Sequence, residues 1–469
     1  MIQDVSVLRN RIFDDLAIGD VASIERTLTA QDAQLFAIQS GGFEPPNADP
    51  KSDVFPKWQG VLAHSMWAAS LISGLLGTRL PGFGSTYRRQ NFQFLQPIRI
   101  GDSLRVTVEI LRLDPTDLGV VLDCQCVNQD GVVVIEGEAE ITATREHIVV
   151  DRTALPEVRL LTSAKAGSKA LIDYAKPLGP IRIAVVHPCD ALSLSAALDA
   201  QKAGLVEPIL VAPAARLQAI AAEAALDLTS LSIVDVPHSH AAAAQAAKMA
   251  AQGEVQALMK GSLHTDELMA AVLTSSAGLR TKRRVSHCFL MQTPFYPRPF
   301  IITDAAINIA PSLQDKADII RNAIDLAHVI GVERPRVAIL AAVETINPSM
   351  PATLEAAALC KMADRGQISG AVLDGPLALD NAVSLAAAQI KGIRSEVAGQ
   401  ADVLVVPDLE SGNMLAKQIE YMGDAASAGI VMGAKVPIVL TSRADSREAR
   451  ISSCAIAVML AAYYGNSPP

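Results

Sequence analysis

Basic side chains are too few and too scattered in this chain of 469 residues to build a nucleic-acid surface: forty Lys and Arg stand against forty-nine Asp and Glu, the formal charge is −9, and no Lys/Arg block is sustained. Aromatic residues are scarce at 4%, while hydrophobic residues make up 50%. The apolar mass is therefore Ala, Val and Leu, which suits layered α/β structure rather than a β-sandwich. The six cysteines (Cys124, Cys126, Cys189, Cys288, Cys360, Cys454) are dispersed, with no C-x-x-C to seed a zinc site. Cys124 and Cys126 share a strand face and read as core. His238 and His240 in "PHSH" have no acidic or Cys partner nearby in sequence and read as a loop. No G-x-G-x-x-G follows a strand and no G-x-x-x-x-G-K-[ST] occurs, so the dinucleotide and nucleoside-triphosphate fingerprints are both missing. Long uncharged runs are few: Gly60 to Thr78 and Ile451 to Gly465. The first has the length of a membrane span, yet its His64, serines and glycines mark a buried core helix. Asp4, Asp14, Asp15 and Asp20 break any leader pattern at the start, so the cytoplasm is the expected compartment and no membrane partner is expected.

At 49.4 kDa the chain exceeds what one compact core holds, so two or three domains are expected. Up to Ala143 an apolar helix is followed by near-alternating strands, "SLRVTVEILRL", "GVVLDCQCVNQ" and "VVVIEGEAEITA". This is an α+β layout. Arg145 to Gly179 reads as a connector leading into a short helix. From Ile181 short apolar runs alternate with Ala-rich helices: "IRIAVVHP", "VEPILVAP", "VQALMKG", "RVAILAAV", "GAVLDGP", "ADVLVVPD" and "VPIVLTS". Repeated strand, loop and helix units predict a mostly parallel sheet, with sites beyond the carboxyl ends of its strands.

The residues at those ends form one set to inspect: Lys260, Gly261 and Ser262, with His264, Thr265, Asp266 and Glu267 opening the next helix; Glu344, Thr345 and Asn347; Asp374 and Gly375; Asp408, Glu410, Ser411, Gly412 and Asn413. Singly, each is an ordinary loop or cap residue. The last run is the most informative. Val436 to Leu440 leads to Thr441, Ser442 and Arg443 just before an apolar helix, so a hydroxyl and a guanidinium sit where strand becomes helix. Helix-start N–H groups, an Arg and a Ser make an anion site, and Asp445 and Glu448 supply a nearby general base. The same residues also read as a Ser N-cap with solvated charges on the first turns.

The segments "MKGSLHTDELMAAVL", "GLRTKRRVSHCFLM", "DAAINIAP", "VAILAAVETINPSMPATLEAA", "DGPLALDNAVS", "ADVLVVPDLESGNMLAKQI" and "VPIVLTSRADSREAR", in that order, resemble the phosphate acetyltransferase and phosphate butyryltransferase family. The first 145 residues resemble a MaoC-like hot-dog enoyl-CoA hydratase domain through "AIQSGG", "GVLAHSMWAASLISGLLGTRLPG" and "QNFQFLQPIRIGDSLRVTVEI". The resemblance implies a hot-dog domain over residues 1–148, a linker over 149–166, and a two-lobed α/β domain over 167–469 akin to isocitrate and isopropylmalate dehydrogenases. One lobe would take 167–293 plus the tail from about 432, the other 294–431. It implies the reaction of acyl-CoA with phosphate to give acyl phosphate and coenzyme A, over the acetyl to butyryl range, with coenzyme A as substrate, no cofactor and no metal, in a homo-oligomer. Ser442 and Arg443 match the family's active-site pair. The family's catalytic aspartate falls at Ala449, which leaves Asp445 or Glu448 as base. Its phosphate-binding arginine falls in "MAAVL", so Lys260, Arg280, Arg283 or Arg284 would substitute; Gly261, Ser262, Thr265 and Asn308 complete the substrate contacts. In the hot-dog domain the hydratase pattern S-G-D-x-N-P-x-H reads "SGGFEPPN": Gly42, Glu44 and Asn47 replace its Asp, Asn and His, which leaves Glu44, Asp49 or His64 as the acid or base open to it and His64 as a substrate contact. Gly and Asn cannot move protons, so a degenerate domain without hydration is expected.

Overall fold

The computed structural model describes residues 7–40, 65–151, 165–441, 445–466 and 469. The chain divides into two compact units, Met1–Leu160 and Leu161–Pro469.

In the first unit the strands are β1 (Val7–Arg9), β2 (Val21–Thr27), β3 (Thr86–Phe94), β4 (Ser103–Asp114), β5 (Gly119–Val127), β6 (Val133–Thr142) and β7 (Val149–Asp151), with helices α1 (Ala30–Gln39) and α2 (Ser65–Thr78). Five of them form an antiparallel sheet in the order β2-β4-β5-β6-β3, and β1 pairs with β7. The alternation seen in sequence becomes burial: Leu104, Val106, Val108 and Ile110 on β4 and Val120, Leu122, Cys124 and Cys126 on β5 all point into one core. Against that face lies α2, which buries Trp67, Ile72, Leu75 and Leu76. Each such side chain contributes roughly 1.5–3 kcal/mol by leaving water. Burial pushes the Cys124 and Cys126 thiols up to about 12, so both act as small hydrophobes rather than nucleophiles. Gly137 on β6 lets β3 approach, since a Cβ there would lie 2.0 Å from the Asn91 carbonyl oxygen. Residues 149–151, expected as the start of the linker, instead form β7, because their backbone groups pair with β1.

In the second unit the helices are α3 (Lys165–Ala175), α4 (Ala191–Lys202), α5 (Ala214–Glu223), α6 (Ser239–Ala251), α7 (Thr265–Leu273), α8 (Leu313–Val329), α9 (Pro351–Asp364), α10 (Leu379–Val383), α11 (Leu385–Ile390), α12 (Leu409–Met422) and α13 (Arg447–Asn466). The strands are β8 (Ile181–Val186), β9 (Val206–Ala212), β10 (Ser232–Asp235), β11 (Ala257–Lys260), β12 (Ser286–Gln292), β13 (Phe300–Thr303), β14 (Arg336–Leu340), β15 (Val372–Leu377), β16 (Val403–Val405), β17 (Ala426–Met432) and β18 (Ile438–Val439). They form one eleven-stranded sheet in the order β10-β9-β8-β11-β18-β17-β12-β13-β16-β14-β15. Most central strands are buried on both faces, as covered parallel strands must be.

The two expected lobes are thus two halves of a single sheet. Pairing is parallel from β10 to β18 and again from β13 to β15, but β18–β17, β17–β12 and β12–β13 are antiparallel. Three reversals make β13, β16, β14 and β15 run opposite to β8, β9, β10 and β11. The carboxyl ends of the two parallel blocks therefore lie at opposite ends of the strands. Among the described residues no helix is long and apolar enough to cross a membrane.

Candidate active site

Parallel pairing of β11 with β18, Leu258 beside Ile438 and Met259 beside Val439, delivers Lys260 and Leu440 side by side at the carboxyl ends of two central strands, the Lys260 edge of the sheet. Lys260, Gly261, Thr441 and Arg450 line one crevice there. Gly261 is glycine because its backbone lies against β8: its N–H donates to the Val186 carbonyl at 2.9 Å, and a Cβ would fall 2.4 Å from that oxygen. The Lys260 ammonium folds over its own loop, donating to the Gly261 and Leu263 carbonyls at 3.3 and 3.1 Å. The Ser262 hydroxyl donates to the His187 carbonyl at 2.8 Å and accepts from the Cys189 N–H at 3.2 Å. It ties the turn after β8 to the turn after β11. Thr265 opens α7. Next to this junction lies a cavity of about 540 Å³ lined by His187, Asp190, Arg216, Ser262, His264 and Glu267, among others. Burial, then the Arg216 guanidinium, holds the His187 imidazole below its ordinary value.

Ser442, Arg443 and His64 lie outside the described residues. Asp445 is half-buried beside Lys417 of α12, and its carbonyl accepts from the Arg450 guanidinium at 2.7 Å. Burial disfavours the Lys417 ammonium, but Glu420, at 2.8 Å, and Asp445 more than compensate and keep its pKa raised. Glu448 is exposed on the first turn of α13, whereas Ala449 is buried. Arg447 anchors that turn to Asp199 of α4 at 2.7 and 2.8 Å.

Two expected substrate contacts sit elsewhere. Arg283 and Asn308 lie at the opposite end of the strands, because Arg283 precedes β12 and Asn308 follows β13, which runs the other way. Arg283 is engaged by Asp325. Asn308 is 4% exposed; its amide donates to the Val285 carbonyl and to Asp304, and its oxygen accepts from Arg284 at 2.7 Å. Both groups are spent on holding the chain together there. The reversal also removes Glu344, Asp374 and Asp408 from the Lys260 edge: Glu344 pairs with Lys391 at 2.9 Å, and Asp408 caps α12. His238 is the N-cap of α6 rather than a loop residue, and His240, on its first turn, meets Glu267 at 2.8 Å. Among the described residues no group of three or more His, Cys, Asp and Glu could hold a metal ion.

Sequence reasoning missed Lys417, which only the fold brings to Asp445, and two buried groups behind the Thr441 turn, His287 and Ser453. The signal for the latter pair was faint: a histidine inside an apolar strand and a serine inside an apolar helix.

A two-lobed α/β sheet with a Lys-Gly-Ser turn beside the strand that leads into Thr-Ser-Arg, carried in one chain with a hot-dog unit, defines an acyltransferase-type protein. The chain belongs to the phosphate acetyl/butyryl transferase family. The family profile described as phosphate acetyl/butaryl transferase matches residues 239–458, and that of the MaoC like domain matches residues 19–118. The chain is 58% identical over 292 residues to a phosphate acetyltransferase of Rhizobium meliloti, covering 62% of this chain and 92% of that protein. It is 42% identical over 280 residues to a phosphate butyryltransferase of Clostridium acetobutylicum, covering 60% of this chain and 93% of that one. Among solved structures, a branched-chain phosphotransacylase from Enterococcus faecalis V583 superposes with a TM-score of 0.54 at 31% identity, over 60% of this chain and 99% of its own.

Proposed function

We propose that the second unit transfers a short acyl group, in the acetyl to butyryl range, between coenzyme A and inorganic phosphate. A phosphate oxygen attacks the thioester carbonyl carbon, a C–O bond forms, the C–S bond breaks, and the departing thiolate takes a proton to give acyl phosphate and coenzyme A. The atoms balance without a redox carrier. In reverse the thiol, with an ordinary pKa of about 8.5, needs a base before it attacks. The observation that carries this reading is the side-by-side emergence of the Lys260–Ser262 turn and Thr441 from adjacent parallel strands. It sets a lysine and a helix start beside Thr441, the residue that precedes Ser442 and Arg443 in the chain, and a lysine, a helix start and a Ser-Arg pair are the combination an anionic phosphate and a developing oxyanion need. Asp445, half-buried against Lys417, is the better-supported base. Ala449, where the family's aspartate falls, faces the protein interior, and Glu448 faces solvent. Assembly into a homo-oligomer is part of the same proposal.

The test is phosphate-dependent release of coenzyme A from acetyl-, propionyl- and butyryl-CoA. Ser442→Ala and Arg443→Ala are each expected to lower turnover at least about a hundredfold, the scale of removing one transition-state donor. Unchanged turnover in both variants would sink the assignment.

A further inference from the structure

Behind the Thr441 turn lies a fully buried histidine for which the proposed chemistry has no use. His287, on β12, is 0% exposed, and its ring packs on Phe289 with centroids 4.3 Å apart. Burial holds its imidazole down at about 3, so it is neutral at working pH. The Leu440 carbonyl acts on the ring in the direction of an acceptor, raising its pKa against burial, while neither ring nitrogen makes a hydrogen bond of ordinary geometry among the described residues. The space that lets them meet is made by Gly429 on β17, where a Cβ would lie 2.9 Å from the His287 Nε2 and 2.9 Å from the Leu440 oxygen.

Gly429 also holds the other end of the connection. Its N–H donates to the Ser453 hydroxyl at 2.9 Å, and that hydroxyl donates to the Ala449 carbonyl at 2.9 Å. Ser453 is itself buried, on α13. Leu440 is the last residue before the turn and Ala449 lies on the first turn of α13, so both ends of the stretch between them come to one glycine, Leu440 by close approach of its carbonyl and Ala449 through the Ser453 hydroxyl. That stretch contains Thr441, Ser442, Arg443, Asp445 and Glu448.

We propose that His287 is a positioning residue for acyl transfer: its neutral imidazole, seated over Gly429, donates to the Leu440 carbonyl and, with the Ser453 bridge, sets where Thr441 and the first turn of α13 stand relative to Lys260. This rests on the functional reading above. A base or acid role is excluded by its complete burial behind the strand. Its contribution is to geometry, so its loss acts on turnover rather than on binding.

The experiment compares full-length wild type with His287→Phe, which fills the space without a donor, His287→Gln, which restores an N–H, and Ser453→Ala, which opens the other tie. Steady-state rates and hydrogen exchange over residues 440–450 are both measured on the folded fraction. His287→Phe is expected to lower kcat at least tenfold with KM for acyl-CoA changed less than threefold, His287→Gln to recover at least threefold of that loss, and exchange over 440–450 to quicken at least tenfold in His287→Phe and Ser453→Ala but not elsewhere. Equal kcat in the Phe and Gln variants, together with unaltered exchange over 440–450, overturns the proposal. If wild type itself fails to release coenzyme A, the functional reading fails, while the exchange comparison still decides whether His287 and Ser453 fix the connection.

Discussion

At the scale of single residues, the edge that bears Lys260 is built from contacts too close for ordinary side chains. Gly261 and Gly429 are each required by a neighbouring carbonyl oxygen, and in both places the glycine allows a functional turn to be pressed against a rigid strand. His287 leaves a thermodynamic mark as well. An unfolded histidine takes up a proton near its ordinary 6.5, whereas the buried ring resists it down to about 3. Between those values the unfolded state binds more protons, so stability rises with pH and is lost as pH falls below about 6.5, by up to about 1.4 kcal/mol per pH unit. Burial and the Leu440 carbonyl are the only influences on the ring, with no charged side chain bearing on it among the described residues. Urea unfolding from pH 7 downward is expected to give a steeper loss in wild type than in His287→Gln, and parallel curves would refute the assignment of a neutral buried ring. The histidine itself was plain in the sequence, but its role was not. What it does depends on Gly429 and Leu440, roughly 140 to 150 residues away, and no local pattern couples them.

At the scale of elements, strands with one face in the core and one outside were readable, because alternation along β4, β5 and β6 is the direct imprint of a half-covered sheet. The runs that became β8, β9, β11, β14, β15, β16 and β18 were readable as short apolar stretches between helices. The seam strands were not. β12 opens on a serine and a histidine before its short apolar run, and β17, "ASAGIVM", is made of small residues through its first half, so neither carries a clear period. Missing them concealed the three antiparallel pairings and, with those, the reversal that carries Asn308, Glu344 and Asp374 away from Lys260 and the place of Arg283 at the amino end of β12. Strand order is a tertiary property; the segments alone report only that strands exist. In the first unit, the element most exposed to a single change is the β3–β6 ladder. Gly137→Ala would drive a methyl to within 2.0 Å of the Asn91 carbonyl oxygen, contact that backbone cannot absorb without breaking the pairing. A loss of about 3 kcal/mol or more in that unit is expected, seen as an earlier calorimetric transition, with phosphate-dependent coenzyme A release unchanged. A single transition shifted as a whole would contradict separate cores.

At the scale of the whole molecule, each unit has its own hydrophobic core, one gathered under α2 and the others on the two faces of the long sheet. The hot-dog unit has its own buried core, while Gly42, Glu44 and Asn47, outside the described residues, stand where the resemblance to hydratases places an Asp-x-Asn-x-x-His pattern. Purified full-length protein is therefore expected to hydrate crotonyl-CoA no faster than buffer while releasing coenzyme A from a saturated acyl-CoA in the presence of phosphate. Hydration above background that survives Ser442→Ala would assign the first unit an activity of its own.

The long sheet ends on strands that offer little to a newcomer. β10, at one margin, is four residues long and finishes in Asp235, whose carboxylate is already engaged by the N–H of Ala214. β15, at the other margin, carries Pro376, which has no N–H to give. An open eleven-stranded sheet would ordinarily be a template for chain-to-chain strand addition. Here one border is short and the other lacks a donor at Pro376, so the long sheet offers little purchase for strand addition along it.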